Sequence, residues 1–442
     1  MVALTLFGIF FLLLLINVPI AISLATASVS TLLIFDGVRA LSSLTDIMYA
    51  SSAQFTLLAI PFFILAGVIM EHAGISKRLI GFADSLLGHR KGGMALVTVL
   101  VAFFFAAISG SGPATVAALG TILIPALVKN GFSKSEASGL LASSGSIGII
   151  IPPSIAFIVF AVVAGDQLPV SIGRLFIAGI IPGILLGVAF LVTAYVLLSR
   201  RSRFDTQAHQ NAYQPRQKTD VQTILKSFLS AFWGLLMPFI ILGGIYGGIF
   251  TATEAAVVAV FYGLFVGFFI YRELTIRKLK TVFVDASIQT AVVMFIVASA
   301  SLFAYIITKE NIARDVAAAL LNITENQIII LLLINIILII AGAFIDAISA
   351  FYLFVPILIP IMMHLQVDPT AFGVFMTINL AIGLFTPPVG VNLYVACGIA
   401  KISLKEITKA VFPFMLAALV VLLLVTFIPE ISTFLPDLLN VD

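Results

Sequence analysis

The chain has 442 residues, of which 61% are hydrophobic and 10% are charged, and its mean hydropathy is +1.22. This composition excludes an ordinary soluble domain and indicates an all-α polytopic membrane protein. The net charge of +3 says little about partners, among which we expect no nucleic acid, and the single Cys397 excludes an internal disulfide framework. The sequence has no phosphate-binding loop ending in Gly-Lys-Ser/Thr, so we predict no ATP hydrolysis.

Residues 1–91 are predicted to form scaffold helices and a first interfacial arm helix. Residues 1–35 are almost continuously apolar and too long for one span, so Asn17-Val18-Pro19 predicts a turn between two short helices. A signal peptide is disfavoured because the N-terminus lacks a basic region. After a span over residues 55–70, basic and apolar residues interleave over residues 71–91, which is typical of an amphipathic helix in the membrane interface.

Residues 92–166 are predicted to contain a hairpin followed by a broken helix. Residues 92–128 are apolar but are interrupted by Ser109-Gly110-Ser111-Gly112-Pro113, and both ends of this segment are basic. If basic ends stay in the cytoplasm, the segment enters and leaves the membrane on one side, as a re-entrant hairpin does.

The apolar residues 137–164 cannot form one plain helix. Pro152-Pro153 removes two backbone donors, and Gly145 and Gly148 loosen the preceding turns. A broken helix at membrane depth is tolerated only where its backbone is buried in protein or lines a cavity, and such breaks are typical of sites in secondary transporters. A single Pro-Pro pair is equally consistent with a kinked structural helix.

The rest of the chain repeats this arrangement. Residues 167–308 are predicted to be scaffold helices with a polar cytoplasmic linker over 200–226, and residues 309–324 to be a second arm helix. Residues 325–400 are predicted to form a second hairpin, interrupted over 342–348, and a second broken helix. Residues 401–442 are predicted to form the last scaffold helix and an acidic tail, which leaves 92–166 and 325–400 as the transport domain.

A shift of 235 positions relates the two hairpin segments. It maps Gly148 onto Gly383, Pro152-Pro153 onto Pro387-Pro388, and Pro125 onto Pro360. One offset that joins several positions predicts two structural repeats, as in transporters built by duplication.

The basic residues predict how the repeats lie in the membrane. Of the 23 basic residues, 19 lie within residues 72–91, 129–134, 200–226, 271–280 and 401–409. Placing these segments in the cytoplasm opens the first hairpin to the cytoplasm and the second to the outside. The repeats are then inverted, their tips meet near the bilayer midplane, and both chain ends lie outside.

Each hairpin tip is expected to meet the break in its own following helix, where free carbonyls suit a hard cation such as Na⁺. Asp346 is the one acid at a tip, and an ionisable group at this depth has a functional role by default, although it could also pair with a neighbouring helix. The serines are weaker candidates, because serine in a helix often bonds its own i−4 carbonyl. The predicted Na⁺ ligands are Ser109, Ser111, Ser144, Gly145 and Gly148 in the first unit, and Gly342, Asp346, Gly383, Thr386 and Pro387 in the second.

A carboxylate substrate is not expected to contact Asp346, because like charges repel strongly at low dielectric. It would be held by hydroxyl and amide groups and by backbone N–H groups at helix starts. The predicted substrate-binding residues are Pro153, Ser154, Val389 and Asn392. Glu254 follows a Thr-x-Thr turn, and its role stays open between a helix cap and a functional group.

Four motifs resemble the large membrane subunit of tripartite ATP-independent periplasmic (TRAP) transporters. They are Ser109-Gly-Ser-Gly-Pro-Ala114, Ser146-Ile-Gly-Ile-Ile-Ile-Pro-Pro-Ser154, Gly247-Gly-Ile-Phe-Thr-Ala-Thr-Glu-Ala-Ala256 and Gly383-Leu-Phe-Thr-Pro-Pro-Val-Gly390. The resemblance covers nearly the whole chain. It implies an elevator-type, Na⁺-driven importer of organic acids in a bacterial inner membrane. It also implies two partners, a small four-helix membrane subunit and a soluble periplasmic substrate-binding protein.

The form Ser-Gly-Ser-Gly-Pro-Ala resembles members that import sialic acid (N-acetylneuraminate), with C4-dicarboxylates or another small carboxylate as the alternative. Two positions depart from many members of the family. Ala252 replaces a proline, and Thr115 replaces an aspartate, so cation binding at the first tip would rest on carbonyls and hydroxyls.

Two other classes of function fit the sequence less well than a transporter. An intramembrane enzyme would need a nucleophile–base or acid pair at membrane depth, and no such pair stands out in the sequence. A channel is disfavoured because paired hairpins suit a moving site better than an open pore.

Overall fold

The computed structural model describes residues 1–90, 92–204 and 219–441, and within these ranges it contains helices and no strands. The first helices are α1 (Val2–Leu15), α2 (Ile20–Phe35), α3 (Ser42–Ser52), α4 (Ala59–His72) and α5 (Ile75–Leu87). The turn predicted at Asn17-Val18-Pro19 separates α1 from α2, and α5 is the predicted first arm helix. Its apolar face is buried while Lys77 points outward, as expected for an interfacial helix.

The first hairpin consists of α6 (Gly93–Ser109) and α7 (Gly112–Lys129), and the broken helix consists of α8 (Lys134–Gly145) and α9 (Ile155–Ala164). Gly110 ends α6 in the left-handed region, at φ +61°, which a side chain would disfavour. The break holds a short 3₁₀ turn, Ser146–Ile149, and the Pro152-Pro153 pair that cannot donate to a helix. The predicted hairpin and break are therefore confirmed.

Six helices connect the two hairpin units. They are α10 (Ile172–Ala178), α11 (Ile180–Phe204), α12 (Val221–Tyr246), α13 (Ala252–Phe265), α14 (Ile276–Lys309) and α15 (Ile312–Ile323). Helices extend into both ends of the predicted linker 200–226, so the predicted bounds were too broad. Residues 205–218 of this linker lie outside the described residues. Glu254 closes a capping box with Thr251 at the start of α13, so the structure shows the first of the two alternatives left open for it, the helix cap.

The second unit repeats the first. It consists of α16 (Gln327–Gly342), α17 (Ala347–His364), α18 (Pro369–Gly383) and α19 (Val391–Ala400), and the chain then continues as α20 (Leu404–Phe427) and α21 (Glu430–Leu438). The offset of 235 relates both ends of α7 to those of α17, and it relates the first residue of α8 to that of α18. The second predicted hairpin and break are therefore also present.

The helices pack into two groups. The scaffold group contains α1–α5 and α12–α15, in which α14 packs against α2, α3 and α4, and α13 packs against α4. The hairpin group contains α6–α11 and α16–α21, in which α20 packs against α8, α11 and α18. Helices α4 and α5 meet the hairpin group at α6, and helices α14 and α15 meet it at α17.

The predicted division gave residues 167–308 and 401–442 to the scaffold, but two helices of these segments pack with the hairpins. Helices α11 and α20 contact each other and the broken helices, so they belong to the hairpin group. Both are apolar over most of their length, and such helices do not show in their sequence which neighbour they contact.

Eight helices among the described residues are long and apolar enough to cross a membrane. Helices α6, α9, α16, α18 and α19 are shorter, as hairpin arms and half-helices should be. The chain is therefore a multi-pass membrane protein, and the orientation of its hairpins and ends stays a prediction from the charges.

Cysteine labelling will test that orientation. In a Cys397→Ser background, we expect Asn130→Cys at the end of α7 to react with an impermeant thiol reagent only from the cytoplasmic side. His364→Cys, at the end of α17, should react only from the outside, because the repeats are predicted to be inverted. Labelling of both cysteines from one side would contradict the inverted arrangement.

Candidate functional site

Three oxygens cluster at the tip of the first hairpin. The Ser109 and Thr115 hydroxyls lie 2.9 Å apart. The Ser111 carbonyl oxygen accepts from Thr115 Oγ1 at 2.8 Å and from Ser109 Oγ at 3.3 Å. Ser109 and Ser111 were predicted ligands, whereas Thr115 was not. Hydroxyl and carbonyl oxygens at this spacing are suitable ligands for a hard cation.

Glycines bring the first broken helix against this tip. A Cβ added to Gly148 would lie 2.8 Å from the Ser111 carbonyl oxygen and 3.1 Å from Thr115 Oγ1. A Cβ on Gly145 would overlap Val116, and one on Gly110 would lie 2.7 Å from the Pro153 carbonyl oxygen. The structure therefore brings Gly145 and Gly148 to the predicted place, where close backbone approach requires glycine.

Ser144 does not reach the tip cluster through its hydroxyl. Its Oγ donates to the Leu140 carbonyl oxygen at 2.7 Å, which is the i−4 bond that serine commonly makes inside a helix. Its side chain is fully buried in α8. Ser144 is thus bound within its own helix in the described structure.

Asp346 caps the helix that begins at the second tip. Its Oδ2 accepts from the backbone N–H groups of Ile348 and Ser349 at 3.0 and 3.1 Å, and its Oδ1 accepts from Ser349 Oγ at 2.5 Å. These bonds satisfy donors that the first turn of α17 leaves free. The 235-residue offset places Asp346 over Ser111, which is the N-cap residue of α7.

The second tip and the second break meet through their backbones. A Cβ added to Gly383 would overlap the Gly342 carbonyl carbon and would lie 2.5 Å from its oxygen. The Ala343 carbonyl oxygen accepts from the N–H groups of Val389 and Gly390 at 3.2 and 3.4 Å. Gly342 and Gly383 therefore pack backbone against backbone, and this contact leaves no room for side chains.

The other two residues predicted at the second site lie in the break itself. Thr386 is buried, and its hydroxyl donates to the Ile382 carbonyl oxygen at 2.7 Å, which leaves that hydroxyl able to accept or to ligate. Pro387 is half-buried.

A cavity of about 360 Å³ lies between the two tips and the scaffold group. The first tip contributes Ser109, Gly110 and Ser111, and the second contributes Asp346. The second halves of the two broken helices, α9 and α19, also reach the cavity, through their first residues Ile155 and Val391. Its volume is that of a site for a small molecule, and its wall is mostly apolar with a few convergent polar groups.

The four predicted substrate-binding residues do not line this cavity. Ser154 is fully buried; its Oγ donates to the Ile149 carbonyl oxygen and accepts from Phe157 N–H, so it caps α9. Pro153 contacts the first tip and Val389 the second. These residues hold the tips in place in the described conformation.

Asn392 braces one unit against the other. It is fully buried at the start of α19, and its Nδ2 donates to the Ala142 carbonyl oxygen of α8 at 2.9 Å. Its Oδ1 has no hydrogen-bond partner within the described ranges and lies 3.2 Å from where a Cβ on Gly112 would stand. This oxygen is an open acceptor beside the first tip.

Two polar residues of the scaffold group, Glu71 and Gln289, also line the cavity and were not predicted. Gln289 could have been noticed, because an amide inside the apolar residues 282–307 is expensive in a membrane. Glu71 was assigned to the interfacial stretch that follows its span. No group of three His, Cys, Asp or Glu that could hold a metal occurs within the described part of the chain.

Comparison with known proteins identifies a family of membrane transporters. The family model described as "Tripartite ATP-independent periplasmic transporter, DctM component" matches residues 7–431. The chain is 40% identical to the C4-dicarboxylate TRAP transporter large permease protein DctM of Pseudomonas aeruginosa over 95% of either chain. It is 36% identical to the sialic acid TRAP transporter permease protein SiaT of Haemophilus influenzae, over 96% of this chain and 66% of the relative.

A third relative is the isethionate TRAP transporter permease protein DctMQ of Oleidesulfovibrio alaskensis, at 43% identity. The match covers 97% of this chain but only 65% of that relative. Among solved structures, the Alcanivorax borkumensis YdaH transporter matches 89% of each chain with a TM-score of 0.61 at 16% identity, which concerns the fold alone.

The family match over nearly the whole chain and the similarity to full-length permeases confirm the resemblance seen in the motifs. They also confirm the prediction of a transporter component rather than an enzyme. The chain belongs to the DctM family, the large permease subunits of TRAP transporters.

Proposed function

We propose that this chain carries out Na⁺-coupled import of a small organic acid, which it binds in the cavity between the two hairpin tips. The proposal rests on the cavity itself. Its wall is formed by both hairpin tips, by the helices α9 and α19 that follow the two breaks, and by the scaffold group. A site between two packed helix groups can change its access when one group moves against the other.

The moving body of this elevator would be the whole hairpin group. Helices α11 and α20 pack on the broken helices, so the hairpins could not move far without them. The scaffold group would stay in place and present Glu71 and Gln289 to the cavity.

Na⁺ would bind at the two tips. At the first tip, the oxygens of Ser109, Ser111 and Thr115 support this role, and Gly148 allows the break to approach them. At the second tip, the ligands would be the carboxylate of Asp346, which lines the cavity, together with the Thr386 hydroxyl and the carbonyls of the break.

The charged side chains that line the cavity disfavour a substrate with two negative charges. The residues that line it include Glu71 and Asp346 but no Lys, Arg or His within the described chain. A dianion would meet more repulsion there than a monoanion. We therefore place sialic acid first, as the Ser-Gly-Ser-Gly-Pro-Ala motif suggests, with isethionate next and C4-dicarboxylates as the alternative.

The proposed partners are a small membrane subunit and a periplasmic binding protein, with the complex in a bacterial inner membrane and both chain ends outside. The relative named DctMQ supports the first partner, because it is longer than this chain and its name joins two components. The family description as periplasmic and tripartite supports the second.

Uptake by reconstituted vesicles tests the coupling. With binding protein, small subunit and labelled substrate present, replacing Na⁺ by choline or K⁺ should reduce uptake to background. Thr115→Val should raise the Na⁺ concentration for half-maximal uptake roughly fivefold, since one hydroxyl ligand is worth about 1 kcal/mol. Thr115→Ser keeps the hydroxyl and is the matched control.

The same vesicles test the substrate. Sialic acid, isethionate and a C4-dicarboxylate are each presented with the binding protein, and we expect saturable uptake of a monoanion. Uptake of only the dicarboxylate would contradict the charge argument, and undiminished uptake on a proton gradient without Na⁺ would contradict the coupling.

A further inference from the structure

A second pocket, of about 450 Å³, lies away from the cavity, between α5, α12 and the segment that precedes α14. Three segments that are predicted to lie in the cytoplasm meet there. Its polar wall consists of Lys77, Arg78, Lys226, Ser227, Ser230 and Glu273. The substrate pathway proposed above makes no use of these residues.

The pocket carries an uncompensated positive charge. Arg78 forms an ion pair with Glu273 at 2.7 Å, and its guanidinium lies 3.9 Å from the centre of the Tyr271 ring, so these two charges neutralise each other. Lys77 and Lys226 are exposed, and neither has an ion-pair partner within the described ranges. Two free ammonium groups therefore face one pocket.

The surroundings are those of a membrane interface. Helix α5 buries its apolar face against α6 and α12, and its polar face carries Lys77. Beside the pocket, the rings of Phe82 and Phe228 lie 5.5 Å apart, and Phe228 also contacts Phe232. Basic groups next to an aromatic cluster suit a ligand with a charged head and an apolar body.

The pocket also has free space next to Gly81. A Cβ added to Gly81 of α5 would meet nothing within 4 Å. Ser230 is exposed, and its hydroxyl has no hydrogen-bond partner among the described residues, so it can donate to a ligand.

We propose that this pocket binds the headgroup of one anionic phospholipid, with its phosphate held by Lys77 and Lys226. A lipid bound between α5 and α12 would tie the first arm helix to α12 from the cytoplasmic leaflet. Neutral phospholipids would bind less well, because their phosphate charge is balanced within their own headgroup.

Native mass spectrometry of the full-length chain, purified with its small subunit, tests the site. The protein is titrated with phosphatidylglycerol and with phosphatidylcholine of the same acyl chains. Lys77→Gln/Lys226→Gln should lower the population with bound phosphatidylglycerol at least about tenfold, because each basic group near a membrane surface contributes severalfold to binding. Arg277→Gln/Lys280→Gln removes two exposed charges outside the pocket and should change nothing.

A second variant tests the space in the pocket independently of its positive charge. Gly81→Leu keeps both lysines but fills the open space, and it should also displace phosphatidylglycerol without loss of folding, because leucine favours a helix more than glycine does. Equal binding of phosphatidylcholine, displacement of the lipid by millimolar inorganic phosphate, or full retention in both variants would each overturn the proposal.

Discussion

Replacing Gly383 by alanine is expected to reduce Na⁺-dependent uptake strongly. The new Cβ would overlap the Gly342 backbone, which cannot move aside as a flexible side chain could. Overpacking of this kind costs roughly 1–3 kcal/mol, and about 1.4 kcal/mol already lowers the population of a binding-competent arrangement tenfold. We therefore expect uptake to fall at least about tenfold and thermal unfolding of the purified protein to occur at lower temperature.

Gly398→Ala is the matched control for this variant. Gly398 lies in α19 of the same broken helix, and a Cβ there would meet nothing within 4 Å. Alanine inside a helix is favoured over glycine by roughly 0.5–1 kcal/mol, so this variant should keep full uptake and unfold no earlier. Wild-type uptake by Gly383→Ala would show that transport does not need the close contact between the second tip and the second break.

The second large effect is expected from Asp346, whose two roles can be separated by two substitutions. Asn caps a helix about as well as Asp, whereas Ala does not, and loss of a cap costs about 1 kcal/mol. Asp346→Asn should therefore fold like the wild type and raise the Na⁺ concentration for half-maximal uptake at least about tenfold, equivalent to ~1.4 kcal/mol. Asp346→Ala should show the same change and lower stability as well.

The measurement is a Na⁺ titration of uptake at saturating substrate, paired with thermal unfolding of both variants. The control is Asp368→Asn at the start of α18, where Asp368 caps a helix in the same way but does not line the cavity. If Asp346→Asn keeps wild-type Na⁺ dependence, the carboxylate is only a cap, and the second Na⁺ site must lie elsewhere.

Local signals made the hairpins and breaks predictable. Gly110, the glycines at 145 and 148, and the two Pro-Pro pairs limit the backbone by themselves, so the sequence alone places the interruptions within a few residues. The 235-residue offset then extends each observation from the first unit to the second. These features required no knowledge of what the segments contact.

The side chains that face the cavity were harder to predict. Ser154 and Asn392 have the chemistry of substrate ligands, but they are used as a cap and a brace, since each lies against carbonyls that only the folded chain places nearby. Glu71 and Gln289 reach the cavity because α4 and α14 pack beside it. Contacts between helices so distant in sequence leave no periodic pattern in either one.

Each unit packs against helices of the other unit, and this affects the order in which the chain can fold during synthesis. Helix α9 of the first unit packs against α17 and α18, and α19 of the second packs against α7 and α8. Because the matching elements are 235 residues apart, a ribosome at roughly 5–20 residues per second needs about 10–50 s to deliver the second set. During that interval the glycine-lined faces of the first unit meet lipid or a chaperone instead of protein, so the nascent first half should be the species most exposed to membrane proteases.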